Sequence, residues 1–160
     1  MMGVGKSTIG ILLSEKLKMP FEDLDSKIEK RESLTINEIF NLKGEEYFRK
    51  IEEIESLKII SEKGKVIALG GGTFVNSKVR KSIKDSCFSV WLDLPSEKIF
   101  DRVKKNKVRP LLMNVKSISD IEKIYIDRKK IYALSDCRIN CESKTKKEIV
   151  NEIEKIYENS

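Results

Sequence analysis

The chain has 160 residues, 39% of them hydrophobic and 36% charged, with a net charge of +6 and no histidine. That length fits one domain able to bury a core, and the composition excludes a disordered or fibrous chain. No apolar run approaches the roughly 18 residues that span a bilayer, so no membrane partner is expected.

Taken in chain order, the first segment is MMGVGKSTIG, whose end reads as a phosphate-binding loop. Apolar residues Ile9, Leu12, Leu13 and Leu17 recur behind it at helical spacing and predict a helix over 7–18. A short strand is expected near 21–24, then short helices over 26–32 and 35–42. The second of these opens on Thr35 with Glu38 three residues on, a capping box. A long charged helix follows over about 44–62. KVIAL (65–69) predicts a strand that ends in three glycines, and 77–85 a helix. CFSVWLDL (87–94) predicts the next strand, and Pro95-Ser96 the start of a helix to about 105. The stretch NKVRPLLMNVKS has no period and reads as a loop. A helix over about 119–134 is expected behind a second capping box, Ser119 with Glu122. CRIN (137–140) predicts a last strand and 145–158 a terminal helix. Strands alternating with helices predict the α/β class, a parallel sheet covered on both faces. One compact domain results, with two insertions that could move, 26–58 and 104–117.

Charge and cysteines narrow the partners. The lysines spread along the whole chain, usually beside glutamates, with no basic stripe interleaved with aromatics. Nucleic acid is therefore not expected as a partner. Cys87, Cys137 and Cys141 are odd in number and lack the paired spacing of a zinc site. They read as reduced thiols. No signal peptide is recognisable, and the cytoplasm is the expected compartment.

The chemistry begins at the loop. The full pattern is G-x-x-x-x-G-K-[ST], and Gly5-Lys6-Ser7 supplies its second half. Backbone N–H groups of Gly3, Val4, Gly5, Lys6, Ser7 and Thr8 can wrap anionic oxygens at the positive end of the following helix. Lys6 can reach the β- and γ-phosphates of a nucleotide, and the Ser7 hydroxyl can ligate Mg²⁺. The same letters also fit an ordinary helix start. Asp23 and Asp25 in FEDLD sit at the predicted end of a strand, where period 2 puts both carboxylates on one face. Phosphoryl transfer uses one carboxylate near the metal and one at the acceptor hydroxyl. Two solvated turn aspartates would read the same way. Gly70, Gly71 and Gly72 directly follow an apolar strand, a costly stretch to order unless backbone must lie against a ligand.

Arginines are few in this chain: seven, against 25 lysines. Arg49 stands among Glu45, Glu46, Glu52 and Glu53, which fits either plain helical ion pairs or a guanidinium held by Glu52 to grip a carboxylate. Arg128 lies among Ile124, Tyr125, Ile131 and Tyr132, a hint of an inward arginine that Lys129 shares. Arg109 sits in the aperiodic loop, seven residues after Arg102.

Taken together, MGVGKSTIG, FEDLDSKIEKR, GEEYFRKIEE, LGGGTF, VRPLL and DRKKIYA come in the order and spacing of shikimate kinase, and the chain resembles that family over almost its whole length. The resemblance implies a three-layer α/β/α P-loop kinase fold, and transfer of the ATP γ-phosphate to the 3-hydroxyl of shikimate in aromatic amino-acid biosynthesis. It implies that Lys6 and the loop amides hold phosphates, with Ser7 and Asp23 serving Mg²⁺. It gives Asp25 the shikimate hydroxyls and the role of candidate base. Arg49 and Arg128 would clamp the shikimate carboxylate, with Gly70 to Gly72 lining the same pocket. Arg109 would act from a mobile lid over 104–117, Arg102 near the adenine, and 26–58 as a substrate-binding subdomain. A monomer is expected. Two departures stand out. CESKTKKE lacks a proline that many members carry on the adenine side, and the family's first strand and first loop glycine, which complete its five-stranded sheet, have no counterpart ahead of Met1. A central strand buries about four large apolar side chains at roughly 1.5–3 kcal/mol each, so an upstream apolar segment is expected. The alternatives are a gluconate-type P-loop kinase of the same build, or a truncated, inactive shikimate-binding protein.

Overall fold

A computed structural model of the chain describes residues 3–105 and 117–160, with the side chains of 103–105 left aside. Left-handed backbone at Gly3 (φ 71°) and Gly5 (φ 94°) curls the loop, and Gly5 is the N-cap of helix α1, Lys6–Leu17. Strand β1 (Phe21–Asp23) follows, then α2 (Leu24–Glu32) and α3 (Ile36–Ser61). Strand β2 (Val66–Ala68), a 3₁₀ turn (Thr73–Val75) and α4 (Ser77–Ser86) come next. The second half is β3 (Val90–Asp93), α5 (Ser96–Lys105), α6 (Ile118–Tyr132), β4 (Cys137–Asn140) and α7 (Lys146–Glu158). Of the predicted loop 106–117 and the expected lid 104–117, residues 106–116 lie outside the described residues.

The α/β expectation holds, with three local corrections. The expected helices over 35–42 and 44–62 both form, as the two halves of α3 divided at Gly44, where φ 83° and ψ 169° leave the helical region for one that side chains avoid. Helix α2 begins at Leu24, so β1 stops at Asp23 and Asp25 belongs to a helix. The capping box of α6 is Ser117 with Asp120, not Ser119 with Glu122: the Ser117 hydroxyl accepts from the Asp120 amide, and the Asp120 carboxylate accepts from the Ser117 amide at 2.9 Å. The Thr35–Glu38 box forms as expected. Finally, the parallel sheet comes as two pairs. β1 pairs with β2, Phe21 opposite Val66 and Asp23 opposite Ala68; β3 pairs with β4, Val90 opposite Cys137 and Asp93 opposite Asn140.

Between β2 and β3 lies a cavity of about 470 Å³, lined by Ile9, Leu13 and Leu17 of α1, Ile67, Phe88 and Trp91 among others. It explains why the apolar stripe of α1 is only partly covered: Ile9 is buried, while Leu13 and Leu17 face the cavity and stay half-exposed. The helix approaches β1 closely instead at Gly10, where any Cβ would stand 2.5 Å from the Phe21 ring. Elsewhere the core is dense in isoleucine. Leu24, Ile28, Ile39, Ile59, Leu94, Ile99, Ile121 and Ile139 are almost wholly buried. No helix among the described residues is long and apolar enough to cross a membrane. The three cysteines are unpaired; burial pushes their thiols up, which keeps them protonated at neutral pH.

Candidate active site

The end of β1 delivers Asp23 to the foot of α1. Its Oδ2 accepts a 2.5 Å hydrogen bond from the Ser7 hydroxyl, and its Oδ1 caps α2 by accepting from the Asp25 and Ser26 amides at 3.0 and 3.3 Å. A single carboxylate thus ties the phosphate-type loop to the helix that carries Asp25. Strand alternation does not join the two aspartates, as period 2 had predicted; a helix cap does. The loop itself is held from across the fold. Arg102 on α5 donates to the carbonyls of Val4 at 3.2 Å and Gly3 at 3.5 Å. Val4 is buried, and α1 has neither a side-chain cap nor an acidic residue of its own in its first turn.

Asp25 reaches the glycines. A Cβ on Gly70 would stand 3.1 Å from Asp25 Oδ1, 2.9 Å from Glu52 Oε1 and 2.9 Å from Thr73 Oγ1. No side chain fits there without displacing two carboxylates. A Cβ on Gly72 would stand 2.7 Å from Arg49 Nη1, so the guanidinium lies flat against the turn. Gly71, between them, is a hydrogen-bond hub. Its carbonyl accepts from Arg128 Nη1 at 3.0 Å and from the Tyr132 hydroxyl. Two successive residues of one turn therefore carry two guanidinium groups, one from α3 and one from α6.

Each arginine is oriented. Arg49 donates to Glu52 Oε2 at 2.6 Å and to Glu45 Oε1 at 3.1–3.2 Å. Burial works against its charge, and the Glu52 and Glu45 carboxylates together more than offset that, holding the guanidinium above its ordinary pKa. Glu52 is only 5% exposed, and its other oxygen accepts from the buried Thr73 hydroxyl at 2.8 Å. Arg49 pairs with Glu52 three residues on and with Glu45 four residues back, contacts common to both readings the sequence allowed. Arg128 is half-buried and turned inward; its neighbour Lys129 is exposed, over the ring of Tyr125. Geometry thus separates the two cations that pattern could not. Arg109 lies outside the described residues.

Two contributors escaped the sequence reading. Thr73 directly follows the glycines, and Tyr132 is one helical turn beyond Arg128, so helix periodicity was the available signal for the latter. Among the described residues no cluster of three or more His, Cys, Asp or Glu side chains could hold a metal unaided. Ser7 and Asp23 supply two converging oxygens, the donor type a hard cation takes.

A glycine-curled loop at the foot of α1 and two guanidinium groups on one glycine turn fit a small-molecule phosphotransferase of the P-loop kind. The family profile described as shikimate kinase matches residues 2–158. The chain belongs to the shikimate kinase family. It is 43% identical over 152 residues to the shikimate kinase of Persephonella marina, covering 95% of this chain and 92% of that one. To the shikimate kinase of Aquifex aeolicus it is 43% identical over 150 residues, covering 93% and 87%. The crystal structure of the Aquifex aeolicus shikimate kinase superposes with a TM-score of 0.87 at 37% identity, covering 99% of this chain and 92% of that one. An Acinetobacter baumannii shikimate kinase in complex with shikimate superposes with a TM-score of 0.94 at 29% identity, covering 99% and 89%.

Proposed function

We propose that this chain phosphorylates the 3-hydroxyl of shikimate with ATP, and that the residues above divide the work. The observation that carries it is a continuous path of contacts: Ser7 to Asp23, Asp23 to the Asp25 amide, Asp25 to Gly70, Gly70 to Glu52, Glu52 to Arg49, Arg49 to Gly72, and Gly71 to Arg128. A nucleotide end and an acceptor end are joined through one wall.

Gly3 to Thr8 cradle the phosphates with backbone amides, and Lys6 neutralises them. Arg102 secures the loop on its adenine side. Ser7 and Asp23 fit Mg²⁺, which when bound there offsets phosphate charge. Arg49 and Arg128 clamp the shikimate carboxylate, a planar anion that suits two guanidinium forks. Gly70 to Gly72 let the ring approach the backbone. Asp25 accepts the hydrogen bond of the 3-hydroxyl and takes its proton as the oxygen bonds to the γ-phosphorus; the bond from that phosphorus to the bridging oxygen breaks and ADP leaves. Arg109 supplies charge to the transferring group. Catalysis is positioning and electrostatics, with no covalent intermediate.

The segment 26–58 forms the substrate side through Arg49 and Glu52. A monomer suffices for this reading, because one subunit holds the whole path from Ser7 to Arg128. The cytoplasm, which supplies ATP and keeps unpaired thiols reduced, is its compartment. The test is ADP release with ATP and a panel of acceptors: shikimate, gluconate and a nucleoside monophosphate. Turnover with shikimate alone is expected. Turnover with gluconate and not shikimate, or shikimate binding by calorimetry with no ADP release, would overturn the reading.

A further inference from the structure

Tyr132 does more than fill the core. Its side chain is buried at 5% exposure, and its ring packs against Trp91 with centroids 6.0 Å apart, which fixes where the hydroxyl points. That hydroxyl donates to the Gly71 carbonyl, the same oxygen that accepts from Arg128 Nη1 at 3.0 Å. A carbonyl oxygen has two lone pairs, so the two donors fill it. Tyr132 and Arg128 are four residues apart on one helix and converge on one atom. Burial raises the phenol's pKa, which keeps it a donor.

We infer that Tyr132 is a positioning residue for the acceptor carboxylate: by locking the Gly71 carbonyl it sets the orientation of the Arg128 guanidinium, leaving the other N–H groups of Arg128 to face the substrate. The assignment rests on the functional reading above and adds to it a residue that touches neither substrate. Without the hydroxyl, Arg128 is the one remaining side-chain donor to the Gly71 carbonyl among the described contacts. That arginine then competes with itself, either keeping the turn in place or following the ligand. Its grip on a carboxylate weakens, while the ATP end, separated by the whole glycine turn, is untouched.

The test is Tyr132→Phe in the full chain, which keeps the ring and its packing on Trp91. Steady-state kinetics are measured with shikimate and with the shikimate carboxamide, a neutral acceptor of the same shape. One neutral hydrogen bond corresponds to roughly a fivefold effect. The KM for shikimate is expected to rise by about that factor, with KM for ATP unchanged. For the carboxamide, kcat/KM is expected to be the same in variant and parent. Because both acceptors are read on the same preparation, the ratio between them does not depend on how much of the variant is folded. In an Arg128→Ala background, Tyr132→Phe is expected to have no further effect on shikimate. An equal loss on both acceptors, or no loss on shikimate, would overturn the role of Tyr132 while leaving the functional reading intact. Failure of the unaltered protein to turn over shikimate would overturn the functional reading and this assignment with it.

Discussion

Asp23 and Asp25 are two positions apart, yet the fold gives them different environments. Both oxygens of Asp23 are engaged, one by the Ser7 hydroxyl and one by two amides of α2. Asp25 is half-buried, with an oxygen against Gly70 at the proposed acceptor end. The division predicts distinct phenotypes. Asp25→Asn keeps the size and the helix position but cannot take a proton. It is expected to lower kcat by about 10²–10⁴-fold, the usual contribution of a positioned acid or base. ATP affinity, measured by calorimetry, should stay at the parental value. A parental kcat would remove Asp25 from the proton path.

The bend in α3 is the most informative feature at the element scale. It lets one chain segment serve two purposes: before Gly44 the helix packs Ile39 into the core, and after it the helix presents Arg49 to the glycine turn. The backbone at Gly44, φ 83° and ψ 169°, lies where essentially only glycine is comfortable. Gly44→Ala meets no steric obstruction from neighbours, since nothing lies within 4 Å of the added methyl position, so its cost is purely conformational. The expected loss is about 1–3 kcal/mol in chemical denaturation. A rise in KM for shikimate should accompany it, because the helix direction aims Arg49. Unchanged stability would mean that the bend can relax.

For the molecule as a whole, ion pairs set the pH range of stability. Hydrogen bonds from Lys27 and Lys65 hold the Glu22 carboxyl below its ordinary 4.5, and a hydrogen bond from Lys65 does the same for Glu62. Lys65 in turn is held above its ordinary 10.5 by the hydrogen bond to Glu22. A depressed carboxylate contributes stability that is present above its unfolded value and is lost as pH falls through the folded one. A raised lysine contributes below its unfolded value and loses it as pH rises through the folded one. Melting temperature is therefore expected to form a plateau, falling below about pH 4.5 and again above about pH 10.5. Raising the salt concentration should lower the plateau slightly, because these groups lie near the surface. A melting temperature that climbed on acidification through pH 4 would contradict the assignment.

Much of this was legible in local pattern. The Gly5-Lys6-Ser7 spacing marked the curled turn that opens α1. Thr35 with Glu38 marked a helix start, and Arg49 with Glu52 marked one option for a held guanidinium, because both partners in each pair lie within a helical turn. Local rules failed where local choices compete. Ser117 and Ser119 offered rival caps, and Asp25 could close a strand or open a helix. The sheet's division into two pairs around a cavity was invisible, since apolar β2 and β3 look alike whether or not they are neighbours. Contacts across long stretches of chain were decided only by tertiary structure. Ser7 meets Asp23 from 16 positions away, Arg128 meets Gly71 from 57, and Tyr132 meets it from 61. The residue types declared what chemistry was available; which guanidinium turned inward, and what held it there, followed from packing that no periodicity encodes.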